Sequence, residues 1–94
     1  NSIDLDKISD YFDNNVSIII YTENIREITT KNNEKMAFVE GSDESEKIEV
    51  VLFPKVYKNI NIKVGDILLV KGKVEKRFDK YQISTFEIKR LENL

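Results

Sequence analysis

The segment from Lys35 to Pro54, KMAFVEGSDESEKIEVVLFP, restricts the fold more than any other part of the chain. It predicts two β-strands, Lys35–Gly41 and Lys47–Phe53, joined by an acidic turn over residues 42–46. Successive side chains of a strand point to opposite faces. One face of each predicted strand is therefore small and aliphatic, as the interior of a narrow barrel requires. That face carries Ala37, Val39, Gly41, Ile48, Val50 and Leu52.

The opposite face of the same two strands mixes apolar and charged side chains. Phe38 shares it with Met36, Glu40 and Glu49. A ring exposed between carboxylates gains little by staying uncovered, whereas a ring on a flat sheet can stack on unpaired bases with little sequence preference. The pattern therefore indicates a base-stacking surface, and the alternative is a ring that turns into the core or is covered by the N-terminal segment.

Composition excludes several classes of function. Ninety-four residues are enough for one small domain. Cysteine and histidine are both absent, so disulfides, thiolate or imidazole zinc sites, Cys nucleophiles and His bases are excluded. No apolar run approaches the roughly 18 residues of a membrane span. We expect a cytoplasmic, monomeric domain that binds no cofactor, metal or membrane, and the missing initial methionine indicates a piece of a longer protein.

The formal net charge of −2 conceals an uneven distribution of charge along the chain. Residues 1–15 contain four aspartates and one lysine, and residues 40–49 contain five acidic residues and one lysine. Residues 71–90 contain seven basic and three acidic residues. A basic segment of this kind is the feature that a nucleic-acid-binding surface needs.

Residues 1–15 predict a short helical lead-in, or a linker from a preceding domain. The apolar residues recur at helical spacing, and Ser2 or Asp4 is a suitable N-terminal cap. The predicted apolar side, which we expect to lie on the domain, consists of Leu5, Ile8, Tyr11 and Phe12.

Residues 16–94 predict five strands and one helix. The first strand, Val16–Lys31, changes phase near Glu23–Asn24, which indicates a bulge. A helix begins at Pro54 and places Val56, Tyr57 and Ile60 on one side, and the last two strands meet at a tight connection, Phe78–Lys80. This order is that of the OB-fold, an all-β five-stranded Greek-key barrel with one helix between strands 3 and 4. A five-stranded SH3-like barrel is the main alternative, but it has no natural position for that helix.

Several segments of the chain resemble the OB domain of the bacterial DNA polymerase III alpha subunit. The similar residues are Arg26, Thr30–Lys31, Glu34–Val39, Asp43, Ile48–Pro54, Val56–Tyr57 and Leu69–Val74. The resemblance implies a single-stranded-DNA-binding module of a replicative polymerase, related to the anticodon-binding OB domains of class II aminoacyl-tRNA synthetases. It also implies that an aromatic residue of strand two, here Phe38, stacks on an unpaired base.

The chain departs from that family pattern at a few positions. The first strand usually contains a glycine where this chain has Ile20, and an interior leucine usually occupies the position of Gly41. Glu46 replaces a glycine of the turn before strand three, and Asn32–Asn33 replaces lysine–glycine in the first turn. The lost lysine and the added glutamate predict weak binding of DNA.

Three groups of residues are candidates for the nucleic-acid site. The first lies on the stacking face and contains Met36, Phe38 and Glu49. The second would bind phosphates and stack bases around the last strand connection, and it contains Lys71, Lys73, Lys76, Arg77, Phe78, Lys80 and Tyr81. The third flanks the first turn and contains Arg26, Lys31 and Lys35. The alternative for both basic groups is a solvated strand face, and the acidic turn is interpreted as a solvated turn and not as a metal site.

These observations predict a single-stranded nucleic-acid-binding module that guides template DNA beside a polymerase active site. The expected partners are single-stranded DNA, bound weakly, and other domains of the same polymerase or replisome proteins. The domain would be non-catalytic by itself, as a fragment of a nucleotidyltransferase. A protein-interaction module that uses the acidic turn and the lead-in as contacts is an alternative, and an anticodon-type RNA binder is another.

Overall fold

The computed structural model of the chain describes residues 2–91. The five strands form a closed barrel in the spatial order first, second, third, fifth and fourth, and the fourth strand pairs with the first to close it. The predicted all-β five-stranded barrel, with one helix between the third and fourth strands, is confirmed. The elements in chain order are a 3-10 helix (Leu5–Tyr11), β1 (Asn15–Thr29), β2 (Lys35–Ser42), β3 (Lys47–Leu52), α1 (Pro54–Tyr57), β4 (Ile67–Arg77) and β5 (Lys80–Leu91).

The first strand closes the barrel because it pairs with two different neighbours. Its N-terminal half is antiparallel to β4, and its C-terminal half is antiparallel to β2. The register shifts between Thr22 and Asn24, which confirms the bulge predicted near Glu23–Asn24. A bulge bends a strand and increases its twist, so β1 can serve both halves of the sheet. A parallel pairing of β3 with β5 seals the other side of the barrel.

The barrel interior is filled by the aliphatic face that the sequence predicts. The six predicted interior residues of β2 and β3 are all buried. Ile20 of β1 extends into the space in front of Gly41, where an added Cβ atom would lie only 2.8 Å from the Cβ of Ile20. Gly41 is therefore required by the close approach of a neighbouring side chain. The remaining buried core residues of the strands are Val16, Ile18, Leu68, Val70, Val74 and Ile83.

The N-terminal segment packs on the barrel as a 3-10 helix. Leu5 and Ile8 are buried and belong to the main hydrophobic core, as predicted. The prediction is wrong for Tyr11 and Phe12, which are exposed. A 3-10 helix has three residues per turn, so Phe12, seven residues after Leu5, is turned away from the face that an α-helical period would give it. The 3-10 period keeps Tyr11 in line with Leu5 and Ile8 and does not explain its exposure.

The cap of this segment comes from a distant turn. Asp4, a predicted cap, makes no side-chain capping hydrogen bond. Instead, the backbone N–H of Leu5 donates to Oδ2 of Asp43 at 2.8 Å, and the N–H of Asp6 donates to the hydroxyl of Ser45 at 3.2 Å. The acidic turn between β2 and β3 therefore fixes the start of the N-terminal helix to the barrel.

The helix after Phe53 is a single turn, shorter than the sequence pattern suggests. It begins at Pro54, as predicted, and ends at Tyr57. Val56 and Tyr57 are partly buried against the core. Within residues 2–91, no helix is both long enough and apolar enough to cross a membrane.

Candidate nucleic-acid interface

A groove of about 1070 Å³ runs along the outer face of β2 and β3. The C-terminal half of β1 and the β4–β5 hairpin form two of its edges, and the N-terminal 3-10 helix forms another wall. Seven of the predicted site residues line this groove. They are Arg26, Phe38, Glu49, Arg77, Phe78, Lys80 and Tyr81.

Phe38 lines the groove on β2, and Arg26 lies over its ring. The strand register places these two residues opposite each other on β1 and β2. The guanidinium carbon of Arg26 is 4.4 Å from the centroid of the Phe38 ring, and one guanidinium nitrogen is 3.9 Å from a carboxylate oxygen of Glu49. The cation–π contact and the ion pair hold a planar cation on top of a planar ring. A base can stack on this pair, and the guanidinium retains N–H groups for its polar edge.

The tip of the β4–β5 hairpin carries an aromatic residue in an unfavourable conformation. Phe78 and Asp79 form a two-residue turn with φ angles of 50° and 64°. The left-handed region costs a bulky residue roughly 1–2 kcal/mol, and Asn, Asp or Gly is usual there. The Phe78 side chain is nevertheless 88% exposed, so core packing does not offset this cost. The Arg77 guanidinium lies 5.4 Å from the ring centroid.

Tyr81 connects the hairpin to the N-terminal segment. Its ring packs edge-to-face against Phe12, with the ring centroids 6.3 Å apart. The ammonium group of Lys76 lies 5.4 Å from the Tyr81 ring. The hairpin is therefore positioned by a contact with the segment that forms the opposite wall of the groove.

Charges of both signs line the groove. Its four cationic residues are Arg26, Lys47, Arg77 and Lys80, and its five acidic residues are Asp6, Glu40, Glu46, Glu49 and Asp79. The basic segment at residues 71–90 therefore does not produce a strongly basic groove. Since phosphate neutralisation dominates the affinity for nucleic acids, this balance predicts weak binding.

The other predicted site residues lie outside the groove lining. Met36 is only 7% exposed, so of the expected surface pair only Phe38 lines the groove, where it is partly buried with Arg26 over its ring. Lys31 is exposed at the end of β1, and Lys76 contacts the groove only through Tyr81.

Three predicted lysines outside the groove are paired with carboxylates. Lys71 lies 3.5 Å from Glu87, and Lys35 lies 3.4 Å from Glu27. Lys73 lies 3.0 Å from Asp13, whose hydrogen bond and negative charge raise the pKa of Lys73. The β4 lysines are therefore arranged as a solvated, ion-paired strand face, the alternative that the sequence left open.

Asp43 of the acidic turn is the carboxylate with the most hydrogen bonds to backbone. Partial burial would raise its pKa, but the hydrogen bonds from the N–H of Leu5 and from Ser45 outweigh burial. The pKa of Asp43 is therefore lowered from its ordinary value. Its oxygens accept four hydrogen bonds from protein groups, which gives this member of the acidic cluster a structural role.

Ten of the seventeen residues that line the groove are not among the predicted site residues, and four of these ten are Lys47, Gln82, Asp6 and Ser9. Lys47 and Gln82 lie at strand positions with no distinctive pattern, and Asp6 and Ser9 belong to the N-terminal helix. The acidic composition of residues 1–15 was visible in the sequence, but its position against the groove follows from tertiary contacts such as that between Asp43 and Leu5.

Comparisons with known proteins bear on the same region. A family model described as an OB-fold nucleic acid binding domain matches residues 16–91. The chain is 32% identical over 80 residues to the DNA polymerase III subunit alpha of Staphylococcus aureus (strain MSSA476), covering 83% of this chain and 8% of that protein. It is also 32% identical over 81 residues to the DNA polymerase III subunit alpha of Bacillus subtilis (strain 168), covering 84% of this chain and 7% of that protein. The chain thus spans less than a tenth of the length of these relatives.

Proposed function

The chain belongs to the OB-fold nucleic acid binding domain family, and on that premise we propose that it is a single-stranded-DNA-binding module of a DNA polymerase III alpha subunit. Its role is to guide the template strand beside the polymerase active site in the bacterial cytoplasm. The domain binds and positions DNA, and the chemistry belongs to other parts of such a subunit. The similarity to two polymerase subunits over more than four-fifths of the chain supports this assignment.

The observation that carries the proposal is the stack of Arg26 on Phe38 in the floor of the groove. Two planar groups stacked at 4.4 Å give a base an extended surface, and neither group selects one base by its shape. A carboxylate oxygen of Glu49, 3.9 Å from a guanidinium nitrogen, helps to keep Arg26 beside the ring. A sequence-tolerant site of this kind suits a protein that must accept any template.

The phosphates of the bound strand would contact the edges of the groove. Among the residues that the structure describes, Lys47, Arg77 and Lys80 line the groove and form no ion pair. Neutralising three phosphates of a single strand gives a slope of roughly −2 for log affinity against log salt. We expect an isolated affinity in the micromolar range or weaker, because so few phosphates are neutralised.

A fluorescence titration with labelled oligo-dT at low and moderate salt tests the proposal. Phe38→Ala should weaken binding by ~1–3 kcal/mol, the usual range for one base–aromatic stack. It should change thermal stability far less than the roughly 3–5 kcal/mol lost when a core phenylalanine is truncated. Phe86→Ala is the matched control, because Phe86 is an exposed phenylalanine outside the groove.

Two results would contradict the proposed site. The first is equal binding of oligo-dT by the parent and by Phe38→Ala at every salt concentration. The second is a Phe38→Ala protein that melts far below the parent, which would assign the ring to the core.

A protein-interaction module is the second candidate, favoured by one observation outside the groove. Ile19 and Tyr21 of β1 are 42% and 44% exposed, and they pair with Leu69 and Ile67 of β4. Docking through an apolar face depends little on salt, whereas phosphate binding weakens steadily as salt rises. The salt series of the titration separates the two candidates, and competition between DNA and RNA oligonucleotides tests the anticodon-type alternative.

A further inference from the structure

The end of the β4–β5 hairpin extends beyond the barrel wall. β1 pairs with β4 only as far as Lys73, and β3 pairs with β5 only over residues 82–84. The cross-strand pairs Lys76 with Tyr81 and Arg77 with Lys80 therefore have no third strand beside them. We call this two-stranded extension, residues 76–81, the ribbon.

The tip of the ribbon combines an uncovered ring with cations on both of its strands. Arg77 precedes Phe78 on one strand, and Lys80 follows the turn on the other. In the part of the chain that the structure describes, neither Arg77 nor Lys80 forms an ion pair. Asp79 is the single acidic residue of the ribbon, against three basic ones.

This arrangement matches the end of a duplex better than it matches one unpaired base. A terminal base pair offers a flat apolar surface about twice as wide as a single base, with a phosphate chain on each side. A projecting ring with a cation on each flank can cover that surface and contact both chains. Apolar side chains that stack against base steps are a common device of DNA-binding proteins.

We propose that the ribbon binds the junction between single-stranded and double-stranded DNA. Phe78 stacks on the terminal base pair, Arg77 and Lys80 contact the phosphates of the two strands, and the single strand continues into the groove over Phe38. This inference rests on the proposed function, since it assigns the groove to the single strand. The left-handed conformation of Phe78 is consistent with this proposal. Phenylalanine is unfavourable at this position of the turn, so its presence there requires a reason other than folding.

The test compares three labelled DNAs in fluorescence titrations of the chain. They are an oligo-dT strand, the same strand extended from a hairpin duplex, and the blunt hairpin alone. The parent should bind the tailed duplex roughly 5- to 150-fold more tightly than oligo-dT, the factor that one stacked aromatic contributes. A 2-aminopurine base in the terminal pair should change its fluorescence on binding.

Phe78→Asn removes the ring and supplies a residue that suits the left-handed turn, so the hairpin should stay folded. It should reduce the preference for the tailed duplex to about onefold and abolish the 2-aminopurine signal. Phe38→Ala should weaken binding of oligo-dT and of the tailed duplex by the same factor and leave the preference between them unchanged. Phe86→Asn, at an exposed site outside the groove, should leave both affinities and the preference as in the parent.

The outcomes separate the two proposals. If the parent binds oligo-dT without preferring the tailed duplex, the proposed binding of the junction is overturned and the proposed function stands. A preference that survives in Phe78→Asn also overturns the role of the ribbon. A parent that binds none of the three DNAs overturns both proposals.

Discussion

Ile20 and Gly41 are a large and a small residue in contact across neighbouring strands, and the energetic coupling between them can be tested directly. In the OB domains that this chain resembles, a glycine usually occupies the position of Ile20 and an interior leucine the position of Gly41. Here the Ile20 side chain, 1% exposed, fills the space in front of Gly41. We infer that the two departures compensate each other, because one large and one small residue share the same volume in both arrangements. The double variant Ile20→Gly/Gly41→Leu should therefore be more stable than its single variants imply.

The expected magnitudes follow from the two kinds of packing defect. Ile20→Gly removes a buried aliphatic side chain and adds the strand penalty of glycine, about 3–5 kcal/mol together. Gly41→Leu forces a side chain into occupied space, because even its Cβ would lie 2.8 Å from the Cβ of Ile20. Overpacking of this kind costs about 1–3 kcal/mol or more. Residues in contact show coupling energies of about 0.5–3 kcal/mol, and the upper half of that range is expected here.

Urea denaturation followed by circular dichroism measures the four proteins of this cycle. A domain of 94 residues has an unfolding free energy of about 5–14 kcal/mol, so each single variant should retain a measurable transition. If Gly41→Leu alone is unfolded, a folded double variant also demonstrates that the two substitutions compensate each other. Gly41→Leu combined with Val74→Ala is the control, since Val74 is buried but is not among the atoms nearest to Gly41. A double variant whose loss of unfolding free energy equals the sum of the losses of the two single variants would refute the compensation between Ile20 and Gly41.

Two further predictions concern the turn that fixes the N-terminus and the edge of the groove. Asp43→Ala should lower the unfolding free energy at pH 7 by roughly 1–2 kcal/mol, after a discount for solvent exposure. Because folding lowers the pKa of Asp43, its contribution is present above its unfolded pKa and is lost as pH falls through the lower folded pKa, so melting curves of parent and variant should converge in acid. Arg77→Glu with Lys80→Glu should weaken binding of oligo-dT and flatten the salt slope by about 1.4, whereas Lys55→Glu with Lys58→Glu, the same charge change outside the groove, should have much smaller effects. Equal effects of the two double reversals would show that net charge, and not this edge, controls binding.

The fold was predictable because its strands carry a strong local pattern. Alternation over residues 35–53 gave the interior of two strands, and the phase change near Glu23 gave the bulge of β1. The helix after Phe53 was overestimated, since Ile60 continues the helical spacing but Asn59 ends the turn by donating its side-chain amide to the carbonyl of Lys55. Local pattern does not reveal which hydrogen bonds terminate an element.

The site was less predictable because its residues meet through register. Arg26 lies over Phe38 only because the bulge at residues 22–24 sets the pairing of β1 with β2, and a shift of one residue would place Arg26 on the other face. The hydrogen bond between Leu5 and Asp43 joins residues 38 positions apart, and no sequence period signals it. The lysines of β4 were assigned to the groove from their charge and their position near the last strand connection, and their partners, such as Asp13 beside Lys73, come from other elements.

The weak DNA binding predicted for this groove suits the proposed role, and its physical cause is the charge of the groove. A template strand must move past the domain during synthesis, so a site that neutralised many phosphates would hold it too tightly. With four cationic and five acidic lining residues, the groove has a formal charge of −1, to which Asp6 and the Arg26 partner Glu49 contribute while leaving the stacking surface in place. If the proposed function holds and the subunit also binds the DNA elsewhere, the strand would reach this groove at a millimolar effective concentration, which is sufficient for a micromolar site. Removal of the Asp6 charge should therefore tighten DNA binding by the isolated domain. Asp6→Asn is expected to raise oligo-dT affinity at low salt and to have little effect at high salt, where charges are screened.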